Sequence, residues 1–170
     1  MPVIEGTYGS PRQFSGALVA GTSEVQTLTI GGTPTGGTFA VSFEGRRSGD
    51  IAWNATNATL LASMNTAFDA AYGTGSIVAA AGTLTAGIGT VTLTFGGNYV
   101  RRAVPLMTIA QNALTGTAPT LAIAETTPGV NATGIGTAKG SFLVRTDNGT
   151  VYVNTGTAIA PTLTVVGAQT

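Results

Sequence analysis

Four of the seven positive charges in this chain stand in two adjacent pairs, Arg46-Arg47 and Arg101-Arg102. Guanidinium groups form forked hydrogen bonds to carboxylates, so doublets in a chain this poor in charge are candidate contacts with another protein. The plainer reading makes them solvated loop charges that keep sheet edges apart. Both readings put them outside a core. The seven acids, Glu5, Glu24, Glu44, Asp50, Asp69, Glu125 and Asp147, show no metal-binding spacing, and only Glu44 and Asp50 flank one loop. There is no histidine and no cysteine, so imidazole proton shuttling and thiolate attack have no side chain to work with. No enzyme activity is expected, and no cofactor or metal.

One stretch, Gly134 to Ser141, superficially resembles a phosphate loop, but its lysine precedes the glycine and the pattern after it is a strand, not a helix. It reads as linker. Asn54, Asn57, Asn131 and Asn148 head glycosylation sequons, which matter only in a secretory pathway. Of the aromatic side chains, Trp53 and Tyr72 are expected to be buried. Tyr99 and Tyr152 are the two left as exposed platforms for a sugar.

The elements that must hold these residues follow from composition and period. Threonine, alanine and glycine supply 81 of the 170 residues, and the formal net charge is zero. β-branched strand formers mixed with turn formers predict a β-rich fold, and neutrality argues against nucleic acid and anionic membranes as partners. The start of the chain lacks the basic and apolar regions of a secretory signal, and no apolar run is long enough for a membrane span, so a soluble product of a reducing cytoplasm is expected.

Residues 1–22 read as an arm, either frayed or ordered against a partner, with Phe14 among its few apolar anchors. A body over 23–129 follows. Val25–Ile30 and Thr38–Glu44 alternate as strands around the glycine-rich 31–37 stretch, which predicts a hairpin, and Ile51–Trp53 reads as a third strand. Leu60, Leu61, Met64, Ala67, Phe68, Ala71 and Tyr72 share helical spacing and predict one amphipathic helix over about 57–72, with Thr56 or Asn57 as N-cap and Gly73 at its end. Further strands are expected at 76–81, 90–95, 104–109 and 120–124. The fold class is therefore β-rich α+β, a mixed or antiparallel sheet covered by one helix. After a linker at 130–139, residues 140–170 predict a small three-stranded β appendage with a tight Asp147-Asn148-Gly149 turn. Its apolar Phe142, Val144, Val151, Val153, Leu163 and Val165 need cover, and the first four are the candidate contacts between copies.

Two stretches carry a resemblance. Val25-Gln26-Thr27-Leu28-Thr29-Ile30, Thr35-Gly36-Gly37-Thr38-Phe39, Ile51-Ala52-Trp53, Val91-Thr92-Leu93-Thr94-Phe95-Gly96-Gly97 and Thr126-Thr127-Pro128-Gly129-Val130 resemble a β-rich module of tailed-phage virion proteins and bacterial surface proteins. Lys139-Gly140-Ser141, Thr146-Asp147-Asn148-Gly149, Val151-Tyr152-Val153-Asn154 and Thr164-Val165-Val166-Gly167 are similar to the β-motif that ends phage head-decoration and head-fibre proteins. The resemblance implies a bacteriophage decoration, or cement, protein: a homotrimer on the outer capsid surface, made in the host cytoplasm, whose partner is the major capsid protein. Contacts with that partner would fall on the arm with Phe14 and on Arg46, Arg47, Arg101 and Arg102. A receptor- or glycan-binding head fibre or adhesin is the alternative.

Overall fold

The computed structural model describes residues 12–14, 21–131, 139–145, 149–156 and 162–166. They form two compact units, one built from residues 21–131 and one that joins the chain's two ends.

In the larger unit every strand pairing is antiparallel. Its strands are β2 (Val25–Phe43), β3 (Arg46–Arg47), β4 (Ile51–Ala52), β5 (Ile77–Ala81), β6 (Gly89–Phe95) and β7 (Thr108–Thr127). β5 pairs β6, β6 pairs the first part of β2, β3 and β4 pair its last part, and β7 runs along the whole of it. The helix α1 (Asn57–Tyr72) appears where the 3.6-residue period predicts it. It buries Leu60, Met64, Phe68, Ala71 and Tyr72 against Leu28, Phe39, Val41, Phe43, Val91, Leu93 and Phe95 of the sheet. Thr56 occupies the N-cap position without a side-chain bond, and the Gly73 N–H closes the helix on the Asp69 carbonyl. Asn57 turns instead to the 84–87 turn, where it accepts the Gly87 N–H at 2.9 Å and donates to the Leu84 carbonyl at 2.7 Å.

The expected hairpin at 25–44 is replaced by a different structure. Residues 31–37 form no loop: β2 runs through them, and its two halves each pair with β7 rather than with one another. Likewise 108–127 is one strand where a strand at 120–124 was expected. A straight 19-residue strand would part its ends by about 60 Å. Here they meet: the Phe43 ring lies 5.1 Å from that of Phe95, whose N–H donates to the Glu24 carbonyl at 3.0 Å. The β2–β7 ribbon is therefore doubled over, with register shifts at Gly31/Thr33 and Pro34/Gly36. Gly32 (φ +75°) packs so tightly that a Cβ on it would lie 2.1 Å from the Ala118 carbonyl oxygen. Glycines that punctuate a loop by composition here serve as bulges inside a paired ribbon.

The segment 104–107, expected to start a strand at 104–109, lies outside the ladder for a similar reason. Its backbone is satisfied by side chains. The Glu24 carboxylate accepts the Val104 N–H at 2.8 Å, and the Gln26 amide accepts the Met107 N–H at 2.9 Å while donating to Pro105 O and Glu24. Glu24 and Gln26 are both buried, and this exchange of bonds is what makes that burial tolerable.

Trp53 follows β4 and is only half-buried, its indole N–H donating to the Gly87 carbonyl at 2.9 Å. Tyr72 is buried as expected.

In the smaller unit β8 (Phe142–Arg145), β9 (Val151–Asn154) and β10 (Leu163–Val165) form the expected antiparallel sheet. A fourth strand joins it. β1 (Arg12–Phe14), from the stretch read as an arm, pairs with β8 in parallel. The other arm residues before Gly21, the 132–138 linker with most of the phosphate-loop lookalike, and Thr146–Asn148 of the tight turn lie outside the described residues.

Candidate functional site

The two arginine pairs are held by different local structures. Glu44 and Gly45 both have positive φ, 49° and 76°, the backbone signature of a two-residue hairpin turn whose twist matches the strands it joins. That turn sets Arg46 and Arg47 opposite Phe43 and Ser42 as β3, so this pair sits on a strand and not in a loop. The second pair follows a short 3₁₀ turn, Gly97–Tyr99, and the Arg101 N–H is anchored on the Ser23 hydroxyl at 3.0 Å.

One member of each pair converges on Tyr99. The Arg102 guanidinium lies over the Tyr99 ring, 5.4 Å from its centroid, and Arg46 and Glu44 both act electrostatically on the phenol. The ring is wedged edge-on against Phe43 at 5.0 Å and packs on Phe95 at 6.3 Å. Burial, and after it the Glu44 carboxylate, hold the Tyr99 phenol above its ordinary pKa. Beside it opens a cavity of about 200 Å³ lined by Phe43, Glu44, Arg46, Ala71, Tyr72 and Tyr99. The patch presents two exposed cationic groups and one exposed carboxylate around a half-buried phenol. It suits polar recognition of another surface.

Arg47 turns away from this group. It pairs with Asp50, donates to the Ser48 carbonyl at 3.1 Å and reaches Gln111 on β7, and so pins the end of the ribbon. Sequence spacing had no means of finding either Tyr99 as a meeting point or Gln111 as a partner. Tyr99, left by the sequence as a possible sugar platform, is half-buried, with the Arg102 guanidinium over its ring and its hydroxyl donating to the Glu44 carboxylate at 3.5 Å.

Other acids carry structural hydrogen bonds. Glu24 serves Val104 and Gln26, and Asp69 accepts the Gly75 N–H at 2.9 Å.

On the smaller sheet the register aligns four of the six apolar residues named from sequence, whereas Leu163 and Val165, opposite Asn154 and Tyr152, share the other face, with Val165 exposed. Phe142 stands opposite Val153 and Val144 opposite Val151, so all four project from one face. None is buried, and Phe142 is 52% exposed. Leu143, on the other face, is 1% exposed. Tyr152 shares that face and is half-buried. The Phe14 side chain lies outside the described residues, although its backbone ends β1.

No protein-family model matches the chain, and no curated protein matches it either.

Proposed function

We propose that this chain is a structural virion protein that binds the outer surface of a phage capsid and reinforces it across subunit junctions as a homotrimer. The observation that carries the reading is the row Phe142, Val144, Val151 and Val153, which shares one face of the smaller sheet and is left unburied by the described residues. Packing three copies of that face together would bury it. The Tyr99 patch, with Arg46 and Arg102, would then meet the major capsid protein, since forked donors with an aromatic under them recognise carboxylates and carbonyls. Neutral charge and the lack of cysteine and histidine suit a surface that must persist rather than react.

Capsids assembled with and without the protein test this. Bound protein should raise the temperature at which the shells release their contents, because a ligand of the intact shell stabilises it by mass action. Equal survival of both shells under heat and osmotic shock would sink the reinforcing role. A solution mass that is not a multiple of three 16.9 kDa chains would remove the trimer.

A further inference from the structure

The strand β7 is 20 residues long and pairs, among the described residues, with β2 alone. Its second edge carries a row of backbone groups without a ladder partner there. Sheets normally blunt such an edge with charge or with a covering element. Between Arg102 and Glu125 the chain has no charged residue at all. One local cover exists: Asn112 accepts the Leu114 N–H and donates to the Pro119 carbonyl, each at 3.3 Å. That cover serves the bend. Among the described residues, the half from Thr120 to Thr127 has no such bond.

The inner side of β7 is unfinished as well. Ile109, Leu114, Leu121 and Ile123 pack against the core but stay half-exposed, and no residue of the strand is buried. The other end of the sheet differs. On β5 the Asn65 side chain, reaching from α1, donates to the Ala79 carbonyl at 3.0 Å and accepts the Ala79 N–H at 2.8 Å, as a neighbouring strand would.

We infer that the Thr120–Thr127 edge of β7 pairs with the same edge of a second copy of this chain, antiparallel and about a two-fold axis. The choice of occupant follows from the edges on offer. Among the described edges, β5 is five residues long and capped at Ala79, β1 and β10 have three residues and β3 and β4 two, and so the edge of matching length on another copy is β7 itself. An edge meeting its own kind closes a two-fold dimer. Glu125 is the one charge on this strand, and an antiparallel register separates the two Glu125 carboxylates where a parallel one would stack them, so the edge meets itself with little like-charge repulsion. This contact does not depend on the capsid reading. Combined with a three-fold contact through the smaller sheet, it would join trimers into a continuous net.

The test is the solution mass of the full chain across a range of concentrations. Even multiples of the chain are expected: pairs if the two-fold contact acts alone, sixes or larger if the trimer also forms. Ala122→Glu with Ala124→Glu places three carboxylates on each edge and should weaken the association by about tenfold or more. The same change on the capped β5 edge, Val78→Glu with Ala80→Glu, should leave it intact. Mixing the acidic β7 variant with an Ala122→Lys, Ala124→Lys variant should restore mixed pairs, which shows that the acidic chain still folds. A wild type that stays monomeric, or purely trimeric, at high concentration overturns the proposal. So does a mass that the β7 variants leave unchanged, which would mean another surface or another protein occupies the site.

Discussion

The two ends of the larger sheet show how one fold treats its edges in opposite ways. At β5 the helix closes the edge: Asn65 satisfies both backbone groups of Ala79, while Ile77 and Ala79 are buried beneath α1. At β7 the strand is four times as long, nothing on it is buried, and its inner apolar row is half-covered. The difference lies in what stands behind each strand. β5 is sheltered because an amphipathic helix spends its apolar stripe there, and a single 16-residue helix cannot also reach the far side of a ribbon that doubles back. A closed edge stabilises the monomer, and an open one leaves binding surface.

The contrast can be broken most severely at the ribbon's bend. Gly32→Ala should cost about 3 kcal/mol or more, since the new Cβ meets the Ala118 carbonyl oxygen at 2.1 Å and neither backbone can yield without losing its ladder. Gly45→Ala is the matched control: it has nearly the same φ, 76° against 75°, but open space around it, and should cost only about 1 kcal/mol. Urea denaturation of the two variants gives the difference directly. Equal costs would mean that the close approach of β2 and β7 contributes nothing.

At the closed edge, Asn65→Ala strips Ala79 of both side-chain partners. A loss of about 1–3 kcal/mol is expected, together with association that grows with concentration as β5 becomes a second open edge. Denaturation and light scattering report the two effects separately. If stability falls but scattering does not rise, the amide stabilises the edge without guarding it.

The smallest effect concerns Tyr72, which ties the helix to β2 and β3 by sharing its one O–H between the Val41 carbonyl at 3.3 Å and the Arg46 carbonyl at 3.2 Å. Burial pushes its phenol up to about 12 from the ordinary 10.0. A pKa raised by folding favours the folded state fully below pH 10, and that contribution is lost as pH climbs from 10 through about 12. Stability of the wild type should fall more steeply over that window than that of Tyr72→Phe. Parallel curves would remove the phenol from the pH dependence.

Much of the closed side is written locally. The helix could be read from the spacing of Leu60, Met64 and Phe68 because a 3.6-residue period repeats within a few turns. β5 and β6 could be read from alternation, as could β8 and β9. The open side is written at long range. Gly31 to Gly37 has the composition of a loop, and only pairing with Leu114–Thr120 makes it ribbon. The backbone of 104–107 has the apolar content of a strand, yet Glu24 and Gln26, some 80 positions earlier, take its hydrogen bonds. Arg46 and Arg102 were visible as charges, whereas their meeting at Tyr99 was not.

By itself, then, the amino-acid sequence determined the β-rich class with its single helix, the small C-terminal sheet, and the lack of imidazole and thiol chemistry. Periodicity and residue inventory are local quantities and need no partner to be counted. Tertiary structure alone decided that β2 and β7 form one doubled ribbon, that β1 joins β8, and that one edge of the sheet is capped by a helix side chain while the other has no strand partner among the described residues. Those outcomes depend on which distant backbone satisfies which hydrogen bond, and any extended segment offers the same donors and acceptors until packing selects among them.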